Sequence, residues 1–174
     1  MLIATSYNIV DTYFVSDLGE SSVAAVGIMF SVMALIQAVG YTWGMGAGSE
    51  IARLLGKQKK REAEQTLATA LAGGILSGAV MAVIFAVFRE DVVRLLGATD
   101  TSLAPAGQYG IYIMLAAPVM CGAYVLNNAL RAEGQPYLAL LGILAGGLSN
   151  ALFDYILVRV LGLGIAGAGI ATLA

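Results

Sequence analysis

The chain has 174 residues, 59% of them hydrophobic and 11% charged, with a net charge of −2 and a mean hydropathy of +0.85. Soluble domains carry about 25% charged residues, so a water-soluble fold would lack the polar surface to cover this chain, and no basic face of the kind a nucleic acid needs is expected. One cysteine, Cys121, and no histidine exclude a disulfide framework and leave no donor set for zinc.

Crossing a bilayer takes about 20 consecutive apolar residues, so spans are read from the stretches that hold no charge. The first stretch, 1–10, begins at Met1. Residues 1–20 contain no Lys or Arg and carry Asp11 in their middle, which argues against a secretory signal and for the remainder of a helix over 1–16. Leu18-Gly19 and Ser21-Ser22 break the chain, and the uncharged stretch 21–49 predicts a second helix over 22–47. After a basic run, the stretch 65–88 predicts a third over 63–88. A polar loop containing Gly97 leads to a fourth helix over 103–130, with Pro105 fitting its start and Pro118 inside it, where a proline frees backbone carbonyls and bends the helix. Glu133-Gly134 ends that helix and Pro136, tolerated in a first turn, opens a fifth over 136–159. The Gly162 and Gly164 break opens a sixth over 164–174. Both ends read as cut through a helix. The predicted fold is therefore all-α: a polytopic transmembrane helix bundle of about six helices, the first and sixth truncated.

Most of the 22 glycines lie inside these apolar spans. Gly40, Gly44, Gly46 and Gly48 cluster near the end of the second helix, and Gly142 and Gly146 form a small-xxx-small pair on the fifth. Such spacing predicts close helix packing.

Orientation follows from the basic residues, which collect in cytoplasmic loops. Arg53, Lys57, Lys59, Lys60, Arg61 and Arg131 fall on one side, against Arg89, Arg94 and Arg159 on the other. The loop 49–64 is expected to be cytoplasmic, in a multi-pass protein of the inner (plasma) membrane.

Ionisable groups at bilayer depth are costly and mark function by default. Asp11 stands six positions before Asp17, and Asp154 five before Arg159, which at 1.5 Å per residue sets both about 7–9 Å below the outer boundary. Thr172, eight residues after Gly164, would lie about 12 Å down from the same side. Asn150 precedes Asp154 by four residues and shares its helix face. Carboxylate, amide and hydroxyl oxygens from three helices thus converge in depth, a donor set that suits sodium or a proton. The same polar residues are also compatible with simple hydrogen bonding between helices.

Several segments carry a family resemblance. The run Tyr7-Asn8-Ile9-Val10-Asp11-Thr12-Tyr13-Phe14-Val15-Ser16-Asp17-Leu18-Gly19 with Val23-Ala24-Ala25-Val26-Gly27 resembles the first two helices of multidrug and toxic compound extrusion (MATE) transporters. In order there follow Gly44-Met45-Gly46, Ile51-Ala52-Arg53 through Gly56, Leu130-Arg131-Ala132-Glu133-Gly134, Asn150-Ala151-Leu152-Phe153-Asp154, and Gly162 through Thr172. The resemblance covers essentially the whole chain. It implies one amino-terminal transmembrane lobe over 1–174, half of a twelve-helix transporter whose carboxy-terminal lobe is missing. It further implies that Asp11, Asn150, Asp154 and Thr172 form a cation or proton site, and that Tyr7, Tyr109 and Asn127 line that lobe's cavity.

The expected activity is cation-coupled antiport, with sodium or protons driving export of drugs or other small organic compounds, no cofactor beyond the coupling ion, and the lipid bilayer and the missing lobe as partners. An alternative is a flippase of lipid-linked precursors. An intramembrane aspartyl protease would also use two aspartates, but such enzymes resemble Tyr-Asp and Gly-x-Gly-Asp, whereas Asp11 follows Val10 and Asp154 follows Phe153. A purely structural membrane subunit is a further possibility.

Overall fold

The computed structural model describes residues 20–161 together with 167, 170 and 171. The helix expected over 1–16 and nearly all of that over 164–174, with Tyr7, Asp11 and Thr172, lie outside the described residues. The regular elements described are all helical: α1 (Glu20–Gly56), α2 (Lys60–Val87), α3 (Arg89–Leu95), α4 (Asp100–Ala132) and α5 (Pro136–Asp154), which passes into a π-helical turn over Tyr155–Val160. Four segments, Ala24–Gly56, Lys60–Val87, Asp100–Ala132 and Pro136–Val158, are long and apolar enough to cross a membrane.

The helix ends show what the charge pattern alone misplaces. The second predicted helix, expected to stop at 47, runs on to Gly56 because its charges pair along its own surface: Arg53 Nε donates to Glu50 Oε2 at 2.9 Å. The helix stops where Gln58 takes a positive φ of 59°, with Gln58 N–H donating to Leu55 O at 2.9 Å and Lys59 N–H to Leu54 O at 3.0 Å, a pattern that closes the last turn on its own carbonyls. The 49–64 loop therefore contracts to a turn at 57–59. Gly97 (φ 96°) and Gly134 (φ 81°) end α3 and α4 as their sequence suggests, each in a backbone conformation that costs glycine little.

Two further differences concern the stretch between α2 and α4. Residues 89–95, expected as loop, form the short helix α3, entered through Phe88 at φ −109°, ψ 29°. α4 then begins at Asp100, three residues earlier than expected, because Thr99 and Ser102 cap it reciprocally. Thr99 N–H donates to Ser102 Oγ at 3.0 Å and Ser102 N–H to Thr99 O at 3.0 Å, satisfying donors that a bare helix start leaves open. Pro105 consequently sits in the second turn rather than at the start.

The described residues divide into two compact units, one drawn from those up to Met33, Val83–Ala116 and those from Leu144 on, the other from Ala34–Ala82 and Ala117–Ile143. In the second unit Ala47, Ile51 and Leu54 of α1, Ala63 and Ala70 of α2, and Val125 and Ala129 of α4 form a core dominated by small side chains. Glycines bring the backbones together. A Cβ on Gly78 would lie 2.7 Å from both Ala117 O and Pro118 Cα, and one on Gly44 3.0 Å from Tyr124 O. Gly142 and Gly46 have no such neighbour within 4 Å among the described residues, so the packing expected of them is not seen there.

The first unit is filled differently, by bulky groups: Met29 of α1, Phe85 of α2, and Tyr109 and Ile113 of α4 are all nearly or fully buried. Outward-facing positions in both units are apolar too, as at Leu76, Val80, Val83 and Val87 of α2, each more than half exposed. Water would penalise such faces; hydrocarbon does not, provided the backbone is satisfied within each helix.

Candidate functional site

The fifth span carries Asn150 and Asp154 on its inward stripe. Gln135 stands just outside its start, and Pro136 occupies a first-turn position where its missing N–H costs nothing. From there Ala139, Gly147, Asp154 and Val158 are buried, with Ile143, Asn150 and Ala151 half-buried between them, a recurrence at three and four residues that marks one helix face. The opposite faces expose Leu140, Leu144, Leu148 and Leu152. Asp154 is thus set into the helix's inward stripe and has no exposed surface at all. Among the described residues it and Ser102 are the buried polar side chains. Ser102 is accounted for by the α4 cap.

Asp154 also ends the regular α-helix. From Tyr155 the backbone widens into the π turn, and Leu161 N–H donates to Ile156 O, five residues back, at 2.9 Å. Wide turns of this kind interrupt helices mostly in single turns and often beside functional residues. Nothing in the run Tyr-Ile-Leu-Val-Arg-Val announces the turn beyond its β-branched residues, which hold a regular helix less firmly.

Of the other residues singled out from the sequence, Asn150 lies half-buried one turn before Asp154. Tyr109 is completely buried in the same unit as Asp154. Asn127 belongs to the other unit, where its Nδ2 donates to Ala139 O at 2.9 Å and ties α4 to the start of α5. The structure brings Asn150 and Asp154 onto one stripe, while Asp11, Thr172 and Tyr7 are outside the described residues.

Comparison with known proteins gives a consistent result. The MatE family model matches residues 1–156. The chain is 29% identical over 172 residues to the multidrug export protein MepA of Staphylococcus aureus strain MSSA476, covering 98% of this chain and 38% of that protein. It is 27% identical to MepA of Staphylococcus saprophyticus, with the same coverage. Among solved structures, a MATE transporter in its bent conformation superposes with a TM-score of 0.92 at 32% identity, over 98% of this chain and 38% of that one. A multidrug resistance MATE family transporter matches in its outward-facing form with a TM-score of 0.91, over 99% of this chain and 38% of that one. A multidrug resistance MATE family transporter in an inward-facing conformation gives 0.90, over 96% of this chain and 38% of that one; both are 32% identical to this chain. The chain therefore spans well under half the length of the relatives it matches, and the matched part is their amino-terminal lobe.

Proposed function

This chain belongs to the MatE family of membrane transporters, and from that premise we propose that it forms the amino-terminal lobe of a cation-coupled antiporter exporting drugs or other small organic compounds by alternating access. Membership of a transporter family rather than an enzyme family sets the protease reading aside. The observation that carries the proposal is the complete burial of Asp154 within a membrane span. A carboxylate is costly to keep charged at that depth, and a bound cation or proton lowers that cost. An ion that binds there changes the balance between two conformations only to the extent that it binds one more tightly, and a site that is closed in one state and open in the other supplies that difference.

In this reading Asp154 acts with Asp11, Asn150 and Thr172 as the site for sodium or a proton, and Tyr7, Tyr109 and Asn127 line the lobe's cavity. The near-equal likeness to outward- and inward-facing transporters, 0.91 and 0.90, supports a lobe that keeps its fold while the transporter changes state. The names of the Staphylococcus relatives as multidrug exporters favour small organic substrates over lipid-linked precursors. The protein resides in the inner membrane, with the basic turn at 57–59 on the cytoplasmic side as the placement of Lys and Arg directs.

The test is Asp154→Asn in a transporter of the relatives' length that carries this chain. Asparagine keeps the size and much of the hydrogen bonding and removes the charge. Efflux from vesicles, normalised to folded protein, should stop responding to an imposed sodium or proton gradient. If Asp154 only joins helices, Asp154→Asn lowers the amount of folded protein while the remainder stays coupled, and that outcome overturns the assignment.

A further inference from the structure

We infer that the cavity between α3 and the first turns of α4 seats the headgroup of a phosphatidylethanolamine, with its phosphate on Arg89 and its ammonium on Glu90. The inference uses a site within one compact unit and rests neither on the transport reading nor on Asp154. α2 carries the chain from the basic turn through 28 residues to Val87, a rise of about 40 Å. A bilayer with its headgroups is about 40–45 Å thick, so α3, which joins α2 to α4, stands at the opposite headgroup level from that turn. The cavity there measures about 270 Å³, below the roughly 300–1,000 Å³ of drug-sized sites.

The lining comes from one face of each helix. α4 contributes Asp100, Leu103, Gly107 and Gln108, positions that recur at three and four residues. From α3 come Arg89, Glu90 and the buried Val93. Arg89 is half-buried, and among the described residues its guanidinium has neither an ion pair nor a side-chain hydrogen bond. Gly107 gives it a seat. A Cβ added there would lie 3.4 Å from both Cδ and Nε of Arg89, so the arginine stem rests on bare backbone of α4 and its charge is held at the cavity.

Glu90 follows Arg89 directly, and neighbours in a helix point apart, so neither neutralises the other. Glu90 is exposed and likewise has no ion pair among the described residues, whereas Asp100 is taken by Arg94 at 3.3 Å. An unpaired guanidinium and an unpaired carboxylate in one small cavity match a ligand that carries both signs. The planar guanidinium suits phosphate oxygens, the Gln108 amide offers a further donor, and Glu90 accepts from an ammonium. Exposed charges attract weakly, so the half-buried Arg89 supplies most of the affinity and Glu90 the choice of headgroup. Val87 and Phe88 before Arg89, and Leu95 at the end of α3, are each more than half exposed. A soluble ligand leaves such an apolar fringe in water; the acyl chains of a lipid cover it.

Native mass spectrometry of the full chain released from detergent micelles resolves each bound lipid and gives its affinity. Phosphatidylethanolamine should bind about fivefold more tightly than phosphatidylglycerol, which has the phosphate without the ammonium. The same margin is expected over phosphatidylcholine, whose quaternary ammonium has no hydrogen to donate. Arg89→Gln should weaken phosphatidylethanolamine about tenfold, as loss of a charged hydrogen bond does, while Arg131→Gln, at the other end of α4, leaves it within about twofold. Glu90→Gln should bring phosphatidylethanolamine down to the level of phosphatidylglycerol and leave phosphatidylglycerol unchanged, a split that a merely structural role would not produce. If circular dichroism shows that Arg89→Gln has lost helix, Glu90→Gln alone must still erase the preference. Equal affinity for the three lipids, or a preference that survives Glu90→Gln, would overturn the proposal. Glycerophosphoethanolamine, the same headgroup without acyl chains, should fail to displace the lipid at equal concentration; displacement would assign the site to a soluble phosphoethanolamine and overturn the lipid assignment.

Discussion

The two compact units bury their interiors by different means, and the contrast is clearest at two glycines. A Cβ on Gly78 would press on Ala117 O and Pro118 Cα, at 2.7 Å, whereas one on Gly110 would meet Phe85 Cζ at 2.5 Å and Met29 Sδ at 2.9 Å. The distances are alike but the neighbours are not. Backbone cannot retreat without moving a helix, while the far ends of side chains can turn aside. Where small residues set helix spacing, the structure is stiff; where large side chains fill the space, it has room to adjust, and it is in this second kind of region that the buried Asp154 is found. On the proposed reading, in which Asp154 accepts and releases an ion, such a carboxylate is better served by surroundings that can rearrange.

The largest effect expected from this contrast is at Gly78. Gly78→Ala should cost about 1–3 kcal/mol, as overpacking does, even though alanine is intrinsically better than glycine in a helix by about 1 kcal/mol. Gly110→Ala should stay within about 1 kcal/mol of the parent, since side-chain adjustment and helix propensity oppose one another there. Unfolding by dodecyl sulfate in mixed micelles compares the two directly. Equal losses at both positions would show Phe85 and Met29 to be as immovable as a backbone, and the distinction between the units would fall.

A smaller effect is expected at Asn127. Its amide bond to Ala139 O is a polar link between helices, and links of this kind in membranes are worth about 0.6 kcal/mol on average, with a measured maximum near 1.7. Asn127→Leu should lower stability by about 1 kcal/mol in the same unfolding assay. In a full-length transporter it should leave ion dependence intact, unlike Asp154→Asn. Loss of coupling in Asn127→Leu would mean that a residue bonded to the backbone in one unit also governs the proposed ion site, and the division of roles would need revision.

Much of this was legible before any coordinates. The charge-free stretches located the four spans because hydrocarbon excludes charge, and Gly97 and Gly134 marked helix ends because a positive φ favours glycine there. Asp154 could be placed on an inward face by counting, since lipid is the one neighbour a carboxylate cannot have. What was not legible depended on partners. Glu50 and Arg53 read as the start of a loop, yet they are three residues apart and neutralise each other on a continuing helix. Thr99 and Ser102 read as ordinary loop polarity, yet together they start α4 ahead of Pro105. The π turn after Asp154 has no sequence signature, because it is a backbone geometry that many apolar runs can adopt. The seat of Trp43 against Gly73 and Ser77 was invisible for a related reason: the residues are distant in sequence and meet only through helix pairing.

The smallest expected effect tests whether the charges beside the turn at 57–59 serve stability at all. Lys59 and Glu62 stand in the turn and first helical turn before a long apolar helix, each about half exposed, so solvent and salt screen their attraction. Glu62 also lies near the α2 N-terminus, where a negative charge is mildly favoured, so Glu62→Gln removes both a pair and a dipole contact. Even so, the melting temperature followed by circular dichroism should shift only slightly at low ionic strength, and not measurably at 1 M salt, where screening acts within about 3 Å. Lys59→Gln should shift it no more, since it removes the same pair and leaves the favourable charge in place. If instead Glu62→Gln unfolds α2 while Lys59→Gln does not, the carboxylate's place at the helix start, and not its pair with Lys59, holds α2 together.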